Sequence, residues 1–452
     1  MPRASGEDLL PALTRALASV PDQAPATHRA LAAQRRSHGD ELGALAHLIA
    51  AQTLEAYAAG SPSASATDLC KVATGYFTAG DYAAAARWYR LVLLLDAKLA
   101  VAHQNLAAIH ALAGQVAEAD SSRERAYQIQ RVFIDPAGNP ARQVLILCVG
   151  RTSGNVPFEP LFSNRTCRRI MYAIDYAADQ EDAQLPPYDL VFNAVGDPDI
   201  AAPLAERLLR FARRCGRPVL NPPAAVARTQ RHRMCELLGD LDDVVVPACI
   251  RFDGPAIADP ALSERLANAG IEWPLLARPA STHGGDGLVL CESLEALQDA
   301  LGSSPCGHYL TRFRDYRSAD GCYRKYRIIF VDREPLPYHL AISSHWMVHY
   351  FSADMTANAW KIAEERAFLE EPETALGSRA MRAVNAIGRR LDLDYGGVDF
   401  TLLPDGRVLL FEANATMLVH RERQSGPLAH KNPHVQRIVD AFEHLQARRS
   451  SP

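Results

Sequence analysis

Hydrophobic residues change their spacing twice along the 452-residue chain. Up to residue 60, Ala and Leu recur at helical intervals, interrupted near Pro21 and Pro25, before the loop Gly60-Ser61-Pro62-Ser63. The next segment repeats itself: Ala66, Ala73, Gly80 and Ala85 return 34 positions later as Ala100, Ala107, Gly114 and Ala119, which predicts paired helices. Asp135-Pro136-Ala137-Gly138-Asn139-Pro140 reads as a linker. Beyond it, short apolar runs alternate with helical stretches: strands at Val144 to Val149, Leu190 to Val195 and Pro218 to Asn221, and an amphipathic helix from Leu204 to Cys215, an open α/β layer of roughly 80 residues. A helix ending near Leu238 and the run Val244-Val245-Val246 follow. Further strands are predicted at Trp273 to Arg278, at Leu288 to Leu290, from His308 to Phe313, and from Tyr323 to Val331. Two last runs, Val398 to Leu402 and Val408 to Phe411, flank the turn Pro404-Asp405-Gly406 and read as an antiparallel hairpin.

A hydrophobic content of 48% supports sizeable cores, and the length predicts two to four structural units. A net charge of -4 with interspersed signs gives no global field for nucleic acid or an anionic membrane. Nine scattered cysteines without a CxxC pair argue against a disulfide framework or a zinc module, and fit a reducing cytoplasm. No run approaches the ~20 apolar residues of a spanning helix, and the acidic start lacks an export pattern, so neither is expected. The 34-residue period, with Gly80-Asp81-Tyr82 and Ala85 at a turn between helices, resembles tetratricopeptide repeats from Ala66 to about Phe133. Two repeats are fewer than the roughly three a solenoid needs, so the 1–60 helices are expected to cap or extend the stack. The repeats then offer either a peptide groove or a scaffold for docking or homodimerisation.

Several stretches carry candidate chemistry. Strand alternation lets Glu412 and Asn414 share a face, and hairpin pairing can bring Asp399 beside them. Two carboxylates and an amide suit a hard cation such as Mg²⁺; the alternative is a wet hairpin with its acids in solvent. Arg278 ends a strand before Pro279-Ala280-Ser281-Thr282-His283-Gly284-Gly285-Asp286-Gly287. Such a loop either lays backbone N–H groups against phosphate or simply closes a hairpin. Lys325 and Arg327 fall on one strand face and Arg324 on the other, so the first face is either wet or binds an anion. Gly150 to Asn155 is either a substrate-facing loop or a connection, and is not the GxGxxG of a dinucleotide site. Arg231-His232-Arg233 reads as a solvated helix face or a basic site. Pro337 to Tyr350 is rich in polar aromatics, either packed or facing substrate, and its histidines have no metal-ligand spacing. Lys361 either reaches a phosphate or lies exposed on a helix.

Together, from about Gln143 to His434, these elements resemble the ATP-grasp superfamily, the most specific being Asp399 followed by Glu412-Ala413-Asn414. The resemblance implies a multidomain α/β and α+β protein: a helical-repeat domain followed by an ATP-grasp fold with an α/β pre-domain. Its divisions are 1–60 (helices), 61–135 (repeats), 142–222 (pre-domain), 223–308 (small lobe) and 309–450 (large lobe). It further implies ATP and Mg²⁺ as cofactors, with Asp399, Glu412 and Asn414 on the metal and Arg327, helped by Lys325 and Arg324, at the transferred phosphate or a substrate carboxylate. Arg231, Arg278, His283, Gly284, Gly285 and Gly287 would meet the phosphates, and Thr311, Arg312, Phe313 and Asp315 the adenosine. The segment after the arginine strand borders substrate in such enzymes, which makes His339, His345, Trp346, His349 and Tyr350 acceptor-site candidates. Two departures stand out: arginine at 231 and 278 where lysine is common, and Ala415-Thr416-Met417 where a proline-containing sequence is usual.

The activity so implied is joining a small-molecule or peptide carboxylate to an amine through an acyl phosphate. Positioning and charge neutralisation would do the work, without a nucleophilic serine or cysteine. Two other readings fit the same residues: a kinase that stops at phosphoryl transfer to a hydroxyl, and a nucleotide-sensing interaction protein built on the repeats.

Overall fold

The computed structural model describes residues 24–59, 63–135, 140–150, 154–163, 165–253, 262–280, 282, 284–302 and 307–450. The expected helices before residue 24, the loop residues 151–153, most of the linker and His283 lie outside the described residues. Contacts divide the chain into two units, Met1–Arg131 and Val132–Pro452.

In the first unit, helices span Ala24–Ser37, Glu41–Ala58, Ser63–Thr78, Tyr82–Leu95, Ala100–Leu112 and Val116–Ile129. The alanines of the 34-residue spacing sit at the helix contacts: Ala66, Ala73, Ala85, Ala100, Ala107 and Ala119 are all buried. Gly80 and Gly114 both take positive φ (81° and 71°) in the turns between helices, a conformation that glycine adopts without a Cβ penalty. Asp81 caps the following helix by accepting from Ala84 N at 2.9 Å. Tyr89 is buried at the centre, its hydroxyl 2.9 Å from Thr74 Oγ1 and accepting from Asn105 Nδ2 at 2.6 Å.

The second unit begins earlier than the sequence pattern suggests. Val132–Ile134, read as the tail of the helical segment, is strand β1, antiparallel to β3 (Cys167–Ala173). With β2 (Arg142–Cys148), β4 (Leu190–Asn193) and β5 (Val219–Leu220) these form the first sheet, in the order β1-β3-β2-β4-β5, parallel apart from β1. β3 escapes the hydrophobic pattern because Arg168 and Arg169 interrupt it; Arg169 is neutralised by Asp135, whose Oδ2 accepts from its Nε at 2.6 Å. The second sheet is β7 (Cys249–Phe252), β10 (His308–Arg312), β8 (Leu275–Pro279) and β9 (Val289–Cys291), all antiparallel. The third runs β12 (Glu334–Ser343), β11 (Tyr323–Val331), β13 (Tyr395–Leu402), β14 (Val408–Asn414) and β6 (Val244–Val245), with only β14 and β6 parallel.

Two devices join the first and third sheets. Asn221, buried with φ 53°, accepts Tyr395 N on Oδ1 at 2.9 Å, donates Nδ2 to Tyr395 O at 2.9 Å, and gives its own N–H to Asp394 Oδ2 at 2.8 Å. Asparagine tolerates this left-handed conformation better than most residues. From the C-terminal helix Asn432–Ser450, Phe442 packs against Phe162, Phe192 and Tyr395 at ring separations of 5.3, 5.6 and 5.6 Å. Among the described residues no helix is long and apolar enough to cross a membrane.

The hairpin of β13 and β14 lies deep in this sheet, and Gly397 permits it. A Cβ there would stand 2.8 Å from Ile328 O of β11 and 2.8 Å from Met417 Cγ. Gly397→Ala is therefore expected to destabilise the protein by about 1–3 kcal/mol, seen as a lower urea midpoint; an unchanged midpoint would mean that β13 can shift away from β11 without loss.

Candidate functional site

β13 and β14 pair so that Asp399 stands directly across from Glu412, with a register shift after Asp399. Asp399 is buried and Glu412 half-buried against a cavity of about 500 Å³, within the range of small-molecule sites. The wet-hairpin alternative is thereby removed: these acids sit on the interior face, and each has a cationic partner. Asp399 receives a two-pronged bond from Arg327, Nε to Oδ1 at 2.6 Å and Nη2 to Oδ2 at 2.7 Å, with Lys325 Nζ 3.5 Å away. Glu412 Oε1 accepts from Arg231 Nη2 and from Asn414 Nδ2, both at 2.5 Å, and Arg278 lies 3.9 Å from Oε2. Burial alone would raise both acids; the guanidinium and ammonium charges win, holding Asp399 well below the usual carboxylate range and Glu412 at about 2. Both are ionised at neutral pH.

The surrounding elements supply an excess of positive charge. Arg231 comes from the connection before the helix Met234–Leu238, Arg278 from β8, Arg312 and Arg314 from the end of β10, Lys325 and Arg327 from β11, and Lys431 from the turn before the last helix. Among the described residues seven cations thus line the cavity against two carboxylates, Asp399 and Glu412. Arg312 and Lys431 are paired elsewhere, with Glu272 and Glu422; five cations still face two acids. Arg278 feels this crowding: burial and the neighbouring Arg231 lower its pKa. A site of this composition favours a ligand bearing several negative charges.

One wall is a loop joining β8 to β9. The loop is a hairpin connection, since Leu275 pairs with Cys291, and it also borders the cavity through Gly284 and Gly285. Gly284, Gly285 and Gly287 all take positive φ (66°, 84° and 67°), so side chains there would be strained. Thr282 O accepts from Arg278, tying the loop to the cation. The loop rests on the segment opposite: a Cβ on Gly284 would lie 3.4 Å from His349 Nε2, and one on Gly285 would lie 3.7 Å from Met347 Sδ. Leu276, Phe313, Leu410 and Met417 give the cavity an apolar portion, beside Thr311, Arg312 and Arg314.

Most of the sequence candidates converge here: Arg231, Arg278, Gly284, Gly285, Thr311, Arg312, Phe313, Lys325, Arg327, His339, Trp346, His349, Tyr350, Asp399, Glu412 and Asn414 all line the cavity. Four described candidates do not. Arg324 points to the opposite face of β11, as strand alternation requires, where it bonds both Asp320 and Glu364; it is a structural ion-pair residue. Asp315 is exposed and accepts from Arg317 N at 3.0 Å, shaping the loop after β10. His345 accepts Met347 N on Nδ1 at 3.2 Å and so holds a turn. Gly287 sits against Pro279, where a Cβ would come within 2.8 Å of its Cγ. Lys361 fits neither alternative: it is buried, and its Nζ donates to Ala353 O at 2.8 Å.

The structure also adds residues. Tyr309, Tyr338, Thr416, Met417, His420 and Lys431 line the cavity. Lys431 carries no local signal in Ala429-His430-Lys431-Asn432-Pro433, because its burial comes from elements distant in sequence. The loop after β2 does reach the cavity, through Gly154 and Asn155. Asn155 is also a clamp, its amide accepting from Val149 N and donating to Val149 O, both at 2.9 Å.

No protein-family profile and no curated protein sequence matches the chain. Among solved structures, it is similar to D-alanine–D-alanine ligase from Bacillus anthracis complexed with ATP, at 13% identity and a TM-score of 0.43 over 69% of this chain and all of that one. It is similar to a RimK domain ATP-grasp protein from Sphaerobacter thermophilus, at 17% identity and a TM-score of 0.39 over 67% of this chain and 99% of that one. A third is carboxyaminoimidazole ribonucleotide synthase from Aspergillus clavatus complexed with ATP, at 14% identity and a TM-score of 0.38 over 66% of this chain and 77% of that one. With TM-scores below 0.5, none of these likenesses assigns an activity to this chain.

The two faces of β11 separate by experiment. Arg324→Met is expected to cost about 1–3 kcal/mol, the worth of charged hydrogen bonds, whereas Asp399→Asn, which breaks the ion pair between a buried acid and Arg327, is expected to cost about 3–5 kcal/mol. Equal losses in chemical denaturation would contradict the assignment of Arg324 to the outer face and Asp399 to the interior pair.

Proposed function

We propose that this chain is an ATP- and Mg²⁺-dependent ligase of the ATP-grasp type, which activates a carboxylate as an acyl phosphate and passes the acyl group to an amine. The observation that carries this reading is the facing pair Asp399 and Glu412, both ionised, lining the cavity among cations and beside a glycine-rich loop. In this reading the first sheet apart from β1 belongs to the pre-domain (142–222), the second to the small lobe (223–308) with β10 running on to Arg312, and the third to the large lobe (309–450) with β6 added from the small-lobe stretch.

The donor set fits magnesium. Two ionised carboxylates with an adjacent amide match an ion that takes one or two protein carboxylates and completes its shell with waters and phosphate oxygens. Asp399, Glu412 and Asn414 would hold the ion, which when bound neutralises the charge on the phosphates. Arg327 and Arg231, now bonded to those carboxylates, would turn to phosphate oxygens as the nucleotide enters.

The remaining roles follow from position. Arg231 and Arg278 hold the phosphate chain, and the N–H groups of the 284–285 loop close over it. Leu276, Phe313 and Leu410 offer an apolar slot for the base. Lys325 and Arg327 stand where the transferred phosphoryl group gains charge. A substrate carboxylate oxygen attacks the γ-phosphorus and ADP leaves; the amine nitrogen then attacks the acyl carbon, phosphate leaves, and the amine gives up a proton. Closing the glycine loop onto 347–349 keeps water from the acyl phosphate. The helical unit would serve as a tetratricopeptide-like docking surface for a partner or peptide substrate. An ATP-consuming enzyme with unpaired cysteines at all eight described positions suits the cytoplasm.

The test is a screen of pooled carboxylic acids with hydroxylamine as the trapping amine, reading ADP by coupled assay and hydroxamate by mass. Acid-dependent ADP release with hydroxamate is expected, and Glu412→Gln or Asn414→Ala should lower it about a hundredfold or more in folded protein. ADP with a phosphorylated alcohol instead would point to a kinase, and full activity in either variant would remove the metal assignment.

A further inference from the structure

The cavity has a second apolar wall, on the other side of Asn414 from the slot assigned to the base. Leu410 precedes Glu412 by two residues on β14, whereas Leu418 follows Asn414 by four. Tyr395, two residues before the Gly397 that pairs with Asn414, donates its hydroxyl to Met417 O at 2.6 Å, so the chain runs on past the strand end. His420 N then donates to the Tyr338 hydroxyl at 3.2 Å. These two bonds bracket Leu418 and fix its backbone, yet the residue is 40% exposed. Met347, 38% exposed, stands beside the glycine loop, where a Cβ on Gly285 would come within 3.7 Å of its Sδ. Among the described residues, Leu418 and Met347 are the large apolar side chains that are both exposed and line the cavity. Pro157, Val348 and the rings of Tyr338 and Tyr350 continue the wall.

This wall begins where the phosphoryl group would be transferred. His339 lines the cavity opposite Arg327 in the β11–β12 register, with Tyr338 and Tyr350 at ring separations of 5.1 and 4.7 Å. A carboxylate against Lys325 and Arg327, with the triphosphate on its Glu412 side, extends its body toward these rings. No net positive charge waits there for a second anion. Lys431 is neutralised by Glu422 at 2.9 Å, and the fully buried Glu365, which accepts from the Tyr350 hydroxyl at 3.3 Å, adds a negative charge behind the wall. Burial and the neighbouring cations keep His339 and His349 neutral. A second carboxylate would lose its water without gaining a partner, whereas an apolar body would take Leu418 and Met347 out of solvent. The methionine thioether can adapt to bodies of different shape.

We propose that the acid substrate is an apolar monocarboxylate, a carboxylate on an alkyl or aryl body of several carbons, and that Leu418 and Met347 cover that body at the cavity mouth. This rests on the ligase reading and names its substrate class.

The experiment measures hydroxamate formation with ATP, Mg²⁺ and hydroxylamine for acetate, butyrate, hexanoate and adipate. In the wild type kcat/KM should rise about fourfold per added methylene from acetate to hexanoate. Hexanoate should exceed adipate, which carries a second carboxylate on the same number of carbons, at least tenfold. In Leu418→Ser the hexanoate-to-acetate ratio should fall at least fivefold. Acetate or adipate serving as well as hexanoate in the wild type would overturn the proposal, whatever the variant does. So would an unchanged ratio in the variant, or a tenfold loss of its ATP affinity, which would place Leu418 against the nucleotide. Hydroxamate from acetate or adipate alone would sink this inference and leave the ligase reading standing; none from any acid would sink both.

Discussion

Two carboxylates face each other inside the third sheet, and the structure around them is arranged to make that tolerable. Buried acids this close would repel and take up a proton. Here Arg327 and Lys325 meet Asp399, and Arg231 and Arg278 meet Glu412, from three different stretches of chain. The hairpin, the strand beside it, the β8 strand end and the connection at 231 are therefore coupled: none can move far without exposing an uncompensated charge. In the proposed reading each acid would exchange a guanidinium for a divalent cation, and each guanidinium a carboxylate for a phosphate.

The scaffold serves this arrangement by fixing strand positions rather than by touching the cavity. Asn221 stitches the end of β5 to the start of β13 through three hydrogen bonds. Phe442 packs aromatic residues of both sheets together. Gly397 lets β13 lie against β11 at a distance no side chain would permit, and so sets where Asp399 meets Arg327. The glycine loop is held differently, by Arg278 at its root and by its closeness to 347–349 at its tip.

Much of this was legible in the sequence. Alternation along β14 put Glu412 and Asn414 on one face, and the turn Pro404-Asp405-Gly406 gave the pairing that brings Asp399 opposite Glu412. Alternation along β11 likewise separated Arg324 from Lys325 and Arg327. What stayed hidden was non-local. Strand β3 has an arginine pair whose neutralising Asp135 lies far upstream, so hydrophobic pattern alone could not find it. Lys431 looks like a surface residue until Tyr338 and Tyr350 flank its ammonium, and Lys361 until the chain turns back to offer it Ala353 O. Asp315 and His345 went the other way: each lies beside cavity residues in sequence, yet turns to a neighbouring backbone N–H instead.

In the proposed reaction ATP converts a carboxylate into an acyl phosphate between these charges. Incubating the protein with ATP, Mg²⁺, an amine and a carboxylic acid labelled with ¹⁸O in its carboxylate tests it most directly, by mass spectrometry of the phosphate released. An acyl phosphate requires one labelled oxygen to pass from acid to phosphate for every amide formed. Amide formation accompanied only by unlabelled phosphate would contradict it.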